Sequence, residues 1–271
     1  MSEPLHNAAE LIRNADSIVI CTGAGMGVDS GLPDFRGNSG FWRAYPELAA
    51  KGVRFEEIAN PSAFLDYPEL AWEFYAHRIQ LYRNTKPHAG FDILKRWCDE
   101  KPGGGFVYTS NVDGHFQKAG FADSQVNECH GSLGYLQCTE PCGNHVWLMP
   151  DVIDPTQPPS CSKCGELARP NVLMFNDWGA IHDRAEDKYE AFEQWFDNVG
   201  SPVVIELGAG VTISSVRRYA SSLDVPIVRI NPKDHRIEPP NIGLQMGALQ
   251  GLLALEAALG KSQKGATHAA T

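Results

Sequence analysis

Buried-type strands alternating with amphipathic helices, a glycine-rich turn directly after the first strand, and four cysteines in two close pairs predict an α/β protein. The expected architecture is a Rossmann-like parallel sheet with a smaller zinc-binding domain formed by two insertions. At 271 residues the chain is long enough for one large domain or a domain with an insert.

Taken in order, Leu5, Ala8, Ala9, Leu11 and Ile12 form a helical stripe over residues 5–14. Ser17 to Cys21 is a β-branched apolar run, suited to a strand buried on both faces. It breaks into Gly23, Ala24, Gly25 and Gly27, where a backbone can turn sharply and approach a ligand. At the carboxyl end of the first strand such a turn suits a pyrophosphate, although the same glycines also serve turns that hold no ligand. After Pro33, the residues Asp34, Phe35 and Arg36 put an acid, a ring and a base in one tight turn. That set fits a charged, ring-bearing ligand.

Residues 38–68 mix glycine, proline and aromatics, among them Phe41, Trp42, Tyr45, Phe55, Phe64 and Tyr67. They read as a partly helical excursion, either a lid over a ligand or a helical unit packed by its aromatics. Helices follow over 69–83 and His88–Asp99, a strand over Phe106–Thr109 and a helix over 182–199. Two more buried-type strands, Pro202–Leu207 and Pro226–Ile230, end in the turns Gly208-Ala209-Gly210 and Asn231-Pro232. A closing helix is predicted over 247–259, and the small, polar tail 260–271 is predicted disordered. Ligands of parallel sheets bind beyond the strand carboxyl ends, so these turns are expected to converge on one crevice.

A net charge of −10 argues against general nucleic-acid binding, which needs basic surface. It fits either plain solubility or basic polypeptide partners. No stretch approaches the roughly 18 apolar residues of a membrane span, and the first residues lack a basic, apolar leader. A cytoplasmic location is expected. Of the seven cysteines, Cys21, Cys98 and Cys129 are expected to be buried free thiols. The other four have the spacing Cys138-x3-Cys142-x18-Cys161-x2-Cys164. Four thiolates fill a tetrahedral zinc site and leave no position for water, so the metal is expected to be structural. The proline-rich segment between the pairs has little apolar material to fold without it. His145 is an alternative ligand.

Three further segments carry chemistry. Thr109-Ser110-Asn111-Val112-Asp113 ends a strand; it is an Asx turn or a set of donors and acceptors for a ribose and a carboxamide. Glu128-Cys129-His130-Gly131-Ser132 offers either a structural histidine or a general base, since a neutral imidazole near its unperturbed pKa of about 6.5 can take a proton. Val172 to Phe175 reads as an extended edge that can add a peptide as a strand, or as a core strand. Tyr75 and Arg78 are spaced i, i+3 on one helix face, which by itself reads as a partly exposed face.

These segments together resemble the sirtuins, the NAD-dependent protein deacylases. The resemblance runs through Gly23-Ala24-Gly25, Ser30-Gly31-Leu32-Pro33-Asp34-Phe35-Arg36-Gly37, the Asn111/Asp113 segment, His130-Gly131-Ser132, the four cysteines and Val172–Phe175. It implies a catalytic domain over 1–259, with a large part about 1–38, 86–133 and 179–259 and a small part about 39–85 and 134–178. It implies NAD and one zinc ion as cofactors and acylated lysine side chains of proteins as substrates. The acyl oxygen attacks the anomeric carbon of the nicotinamide ribose, and His130 accepts the proton. The products are free lysine, nicotinamide and O-acyl-ADP-ribose. Asn111 is implied at the nicotinamide ribose, Asp113 at the carboxamide, and Ser110 stands where the family has glutamine. Gly208, Ala209 and Gly210 match the family's Gly-Thr-Ser, Asn231 its adenosine-ribose asparagine, and Leu249 its residue beside adenine. Asn176 and Asp177 replace its Gly-Glu pair. Tyr75 and Arg78 match the branch that binds the carboxylate of succinyl- or malonyl-lysine. The alternatives are an ADP-ribosyltransferase or NAD hydrolase, and a non-catalytic NAD-sensing module.

Overall fold

The computed structural model describes residues 2–33, 41, 43–140 and 142–266, with side chains described as far as residue 260. Asp34, Phe35 and Arg36 lie outside the described residues.

The chain opens with α1 (Glu3–Asn14) and β1 (Ser17–Thr22). All six residues of β1 are buried, because the strand lies between two neighbours and under helices on both faces. Ile18 and Ile20 join one core with Ala8, Ile12, Phe91, Leu94, Leu252 and Leu255. Val19 and Cys21 join another with Phe106, Phe192 and Val216. This is the period-2 alternation of a strand sandwiched between two helical layers.

The sheet gathers β2 (Gly105–Thr109), β3 (Val126–Glu128), β7 (Pro202–Leu207), β8 (Ile227–Ile230) and β9 (Ile242–Leu244) around β1 in the order β3-β2-β1-β7-β8-β9. Every pairing is parallel. The chain moves outward from β1 through β2 and β3, then returns to β7 on the other side. The order therefore reverses between β1 and β7, which opens a crevice at their carboxyl ends. The helices beside this sheet are α6 (Ala89–Glu100), α8 (Asp183–Phe196), α9 (Ser215–Ser222) and α10 (Ala248–Ala266). The last of these corrects the expectation of a tail from 260. Residues 261–266 contain no proline, and their lysines and glutamine are good helix formers, so the helix continues through Gly260 to Ala266.

The second unit is a three-stranded antiparallel sheet, β5-β4-β6, made of β4 (Gly131–Cys138), β5 (Val146–Leu148) and β6 (Ala168–Val172). Short helices α2 (Pro46–Ala50), α3 (Phe55–Ile58) and α4 (Pro61–Asp66) lead to the long α5 (Pro68–Asn84). Each of α2, α4 and α5 has proline in its first turn, where a missing N–H costs nothing. Phe41, Phe64, Trp72, Phe74 and Tyr75 form a separate core with Leu136, Ala168 and Val172. Trp72 Nε1 donates to the Ala168 carbonyl at 3.0 Å and fixes α5 on β6. Of the two readings of 38–68, the described part is thus a helical unit packed by aromatics.

Candidate active site

The crevice is assembled by backbone contacts between strand-end turns. Gly23 N donates to Leu207 O and Gly25 N to Gly208 O, each at 3.1 Å. A Cβ on Gly23 would lie 2.9 Å from Ala209 Cα. Gly208 has φ 61, and a Cβ there would collide with the backbone of Gly25 and Met26. Gly23 and Gly208 are therefore glycines because two turns pack backbone on backbone. Close approach by a ligand is left to the exposed Ala24 and half-buried Gly25. Asp29 Oδ2 accepts from Leu249 N at 2.9 Å, so the same turn caps α10 and places half-buried Leu249 beside it.

The end of β2 is tied to β1. Thr22 Oγ1 donates to Thr109 Oγ1 at 2.8 Å, Thr109 Oγ1 accepts from Asn111 N at 3.0 Å, and Ser110 N donates to Thr22 O at 3.1 Å. This fixes Ser110 and Asn111 at the mouth of the crevice. Among the described residues no hydrogen bond reaches the Asn111 side-chain amide, which keeps a donor and an acceptor for a ligand. Asp113 Oδ1 accepts from His115 N at 2.9 Å, which leaves Oδ2 toward Gly27.

Asn231, fully buried at the end of β8, is placed in the crevice but engaged internally. Its Nδ2 donates to Ala209 O at 3.0 Å, and Oδ1 accepts from the Lys233 and Asp234 N–H groups. It holds the Gly208–Gly210 turn in shape, with Arg217 donating to the same Ala209 carbonyl. Neither Arg217 nor His88 stood out in the sequence. That ring's Nδ1 accepts from Gly90 N at the start of α6, so Nε2 carries the proton and donates to Met26 O at 2.9 Å, just after the glycine turn.

His130 lies in the turn between β3 and β4. Its carbonyl accepts from Leu173 N at 2.9 Å, and Gly131 has φ 77. A Cβ on Gly131 would collide with the Asn171 carbonyl, so a histidine here must be followed by glycine. The half-buried imidazole has its pKa lowered from 6.5, chiefly by burial and further by the neighbouring His182. It is a neutral ring at neutral pH. Nearby Glu128 is buried, and that burial pushes its carboxyl up to about 7 against the pull of Arg184 and Ser132. Cys129 is half-buried rather than buried, a correction that follows from its place in the same turn.

The edge expected over Val172–Phe175 is shorter than expected. β6 ends at Val172, and Phe175 N donates to Ala59 O at 2.9 Å in a turn where Asn176 adopts φ 52. The cause is Asp177, read above only as a departure from a motif. Its fully buried carboxylate meets Arg169 of β6 at 2.8 and 2.9 Å and also accepts from Met174 N and Gly179 N. Asp177→Asn is expected to cost about 3–5 kcal/mol, the usual penalty for leaving one buried charge uncompensated. A denaturant midpoint checks this.

Tyr75 and Arg78 do come together. Tyr75 is buried, which pushes its phenol up to about 12, while Arg78 and Arg169 pull it back. Arg78 Nε donates to Tyr82 Oη at 3.1 Å, beside Tyr75 and Tyr45.

The four cysteine Sγ atoms lie within 4.8 Å of one another, with Cys138–Cys164 at 3.6 Å and Cys142–Cys161 at 3.7 Å. Tetrahedral Zn–S bonds of about 2.3 Å imply sulfur separations of about 3.8 Å, whereas a disulfide needs about 2.05 Å. The donor set fits one structural zinc. Backbone N–H groups of Cys164 and Lys163 lower the Cys161 thiol to about 7. The cluster is complete without His145, whose ring stacks on Trp147.

A parallel sheet with a strand-order reversal, glycine turns packed together at the carboxyl ends of β1 and β7, and a four-thiolate cluster in a separate antiparallel unit define a Rossmann-like scaffold with a zinc module. Residues 23–201 match the model of the Sir2 family. The chain belongs to that family. A Thermus thermophilus NAD-dependent protein deacylase is 31% identical over 258 residues, 93% of this chain and 94% of that protein. An Aquifex aeolicus NAD-dependent protein deacylase is 38% identical over 161 residues, 59% of this chain and 62% of that protein. Among solved structures, a Sir2 homolog–NAD complex superposes with a TM-score of 0.72 at 26% identity, covering 94% of this chain and 93% of that one. A Sir2 homologue complexed with 2′-O-acetyl ADP ribose gives 0.71 at 28% identity, covering 97% and 98%.

Proposed function

We propose that this chain is an NAD-dependent protein-lysine deacylase that passes the acyl group to ADP-ribose. The observation that best supports this is His130, which lies two residues past the end of β3 at the carboxyl ends of the parallel strands, with its carbonyl held by Leu173 N and its ring kept neutral by burial. NAD, when bound, supplies an electrophilic ribose carbon and leaves nicotinamide. The glycine turn and the Gly208–Gly210 turn hold its phosphates by backbone groups. Asn111 meets the nicotinamide ribose, Asp113 orients the carboxamide, and His130 accepts the ribose proton.

The edge strand β6, as far as Val172, takes the peptide by main-chain pairing, with the Phe175 side chain in the turn that follows it. The cytoplasm is the proposed compartment, since a thiolate-zinc site needs reducing conditions. Among the described residues no helix is long and apolar enough to cross a membrane. Mass spectrometry of NAD plus a panel of acyl-lysine peptides tests the proposal. O-acyl-ADP-ribose supports it; nicotinamide release without peptide, yielding free ADP-ribose, points instead to an NAD hydrolase.

The finer proposal is a preference for acidic acyl groups, since a guanidinium with a phenol beside it suits a carboxylate. Arg78→Met is expected to reduce succinyl-peptide turnover roughly 10- to 100-fold, the weight of one charge-assisted hydrogen bond. Acetyl-peptide turnover is the comparison, and unchanged succinyl turnover would end the idea.

A further inference from the structure

The chain passes from the small unit to the large one between α5 and α6, over residues 85–88. The last turn of α5 therefore leaves carbonyls that no further helical turn satisfies. Leu81 O accepts from Thr85 N at 3.0 Å and from Thr85 Oγ1 at 2.8 Å. Tyr82 O, Arg83 O and Thr85 O accept from a single ammonium, Lys118 Nζ, at 2.6, 3.1 and 3.4 Å. A compact cation with three donors suits the negative end of a helix. Lys118 comes from the other unit. It ends the short helix α7 (His115–Lys118), whose Phe116 packs in the large core with Phe91 and Phe121.

Both sides of this tie reach the site. On α5, Tyr82 lies in one core with Tyr75, and its phenol accepts from Arg78 Nε at 3.1 Å. On α7, His115 N donates to Asp113 Oδ1 at 2.9 Å, so the helix starts on the residue assigned to the nicotinamide carboxamide. Val112, between Asn111 and Asp113, packs in the same core as Tyr82. The Asp113 carboxylate acts electrostatically on both the Tyr82 phenol and the Lys118 ammonium. The acyl end and the carboxamide end of the site are thus joined through Lys118.

We propose that Lys118 is a positioning residue for acyl transfer, holding the acyl pocket of α5 in register with the Asn111–Asp113 loop. This rests on the deacylase reading and adds to it a residue that acts through Tyr82 and Asp113. Attack requires the acyl oxygen about 3–3.5 Å from the ribose carbon, and a misplacement of about 1 Å costs about 100-fold in rate. Play between α5 and the loop spoils that approach while each half of the site still binds its own ligand.

Lys118→Met keeps the apolar stem and removes the ammonium; Lys118→Arg keeps charge and donors. With NAD and an acyl-lysine peptide that the wild type turns over, Lys118→Met is expected to lower kcat roughly 10- to 100-fold. The Kd of NAD and that of the peptide, each titrated alone, are expected to stay within about threefold of wild type, because neither ligand touches Lys118. Lys118→Arg recovers most of the lost kcat. An unchanged kcat in Lys118→Met overturns the proposal. So does a loss of peptide binding as large as the loss of kcat, which marks a cap that only keeps α5 folded. Should Lys118→Met fail to fold, Lys118→Gln, which keeps two N–H donors without the charge, carries the same comparison. Wild-type protein that turns over no acyl peptide would overturn the deacylase reading, and the proposal with it; wild-type turnover left intact by the substitution overturns the proposal alone.

Discussion

His130→Ala is expected to lower O-acyl-ADP-ribose formation roughly 100- to 10,000-fold, the range a positioned general base contributes. The fold should survive the change. What ties this turn to β6 is the His130 carbonyl, which accepts from Leu173 N, and the Gly131 backbone. Alanine keeps both. A melting temperature close to wild type together with lost turnover separates chemistry from folding. Turnover within threefold of wild type would remove His130 from the mechanism.

The pH profile carries the same argument. Burial and His182 lower the His130 pKa below 6.5, so the ring stays neutral, and able to accept a proton, on the acid side of 6.5. The acid limb of kcat/KM, which reports the free enzyme, should therefore have its midpoint below pH 6.5. His182→Gln removes one of the two causes and should move that midpoint upward. A midpoint at or above 6.5 in the wild type would mean that another group limits the rate.

The large sheet was legible because its central strands are short β-branched runs with a turn at each end, as in Ser17–Thr22 and Pro202–Leu207. The three-residue strands β3 and β9 were not, since Val126-Asn127-Glu128 is too short for a period to show. The small sheet hid for another reason. Its β6 is buried throughout yet reads Ala-Arg-Pro-Asn-Val, and no hydrophobic pattern announces it. Arg169 is paired through its two terminal nitrogens with Asp177 and Asn171 is hydrogen-bonded to Gln137, pairings that exist only after folding. Pro170 is tolerated because β6 is an edge strand with one neighbour.

At the site, residue types that chemistry demands were readable: the cysteine pairs, His130 and the Asn111–Asp113 segment. The residues that hold them were not. His88 and Asp29 act on backbone groups far away in the chain and Arg217 on the backbone of the turn before its own helix, and a backbone N–H or carbonyl leaves no mark in the sequence. The glycines show the converse. Gly23 looked like a ligand contact, but the atom that needs the space is Ala209 Cα.

Removing zinc is expected to disable the enzyme from a distance. Cys138 ends β4, and the Cys161–Cys164 knuckle leads into β6 at Ala168, so the cluster joins the ends of the two strands that pair most extensively in the small sheet. The connecting segment has little core of its own. Structural zinc in small thiolate modules contributes apparent binding energies of about 10–16 kcal/mol at neutral pH, comparable to the whole stability of a native domain. Without it the β4–β6 ladder frays from the cysteine end, where Cys138 pairs with Ala168. That residue anchors Trp72, and Trp72 and Tyr75 share one core with Val172. The peptide edge and the acyl pocket then lose shape together, although no cysteine of the cluster lies in the crevice. Cys161→Ser, or a strong chelator, should reduce bound zinc from one per chain, lower the melting temperature by 10 °C or more on the order of what a loss of several kcal/mol gives, and abolish turnover. NAD binding, which depends on the β1 and β7 turns in the other core, should weaken far less. Full activity in a zinc-free protein would show that the four thiols are held by packing alone.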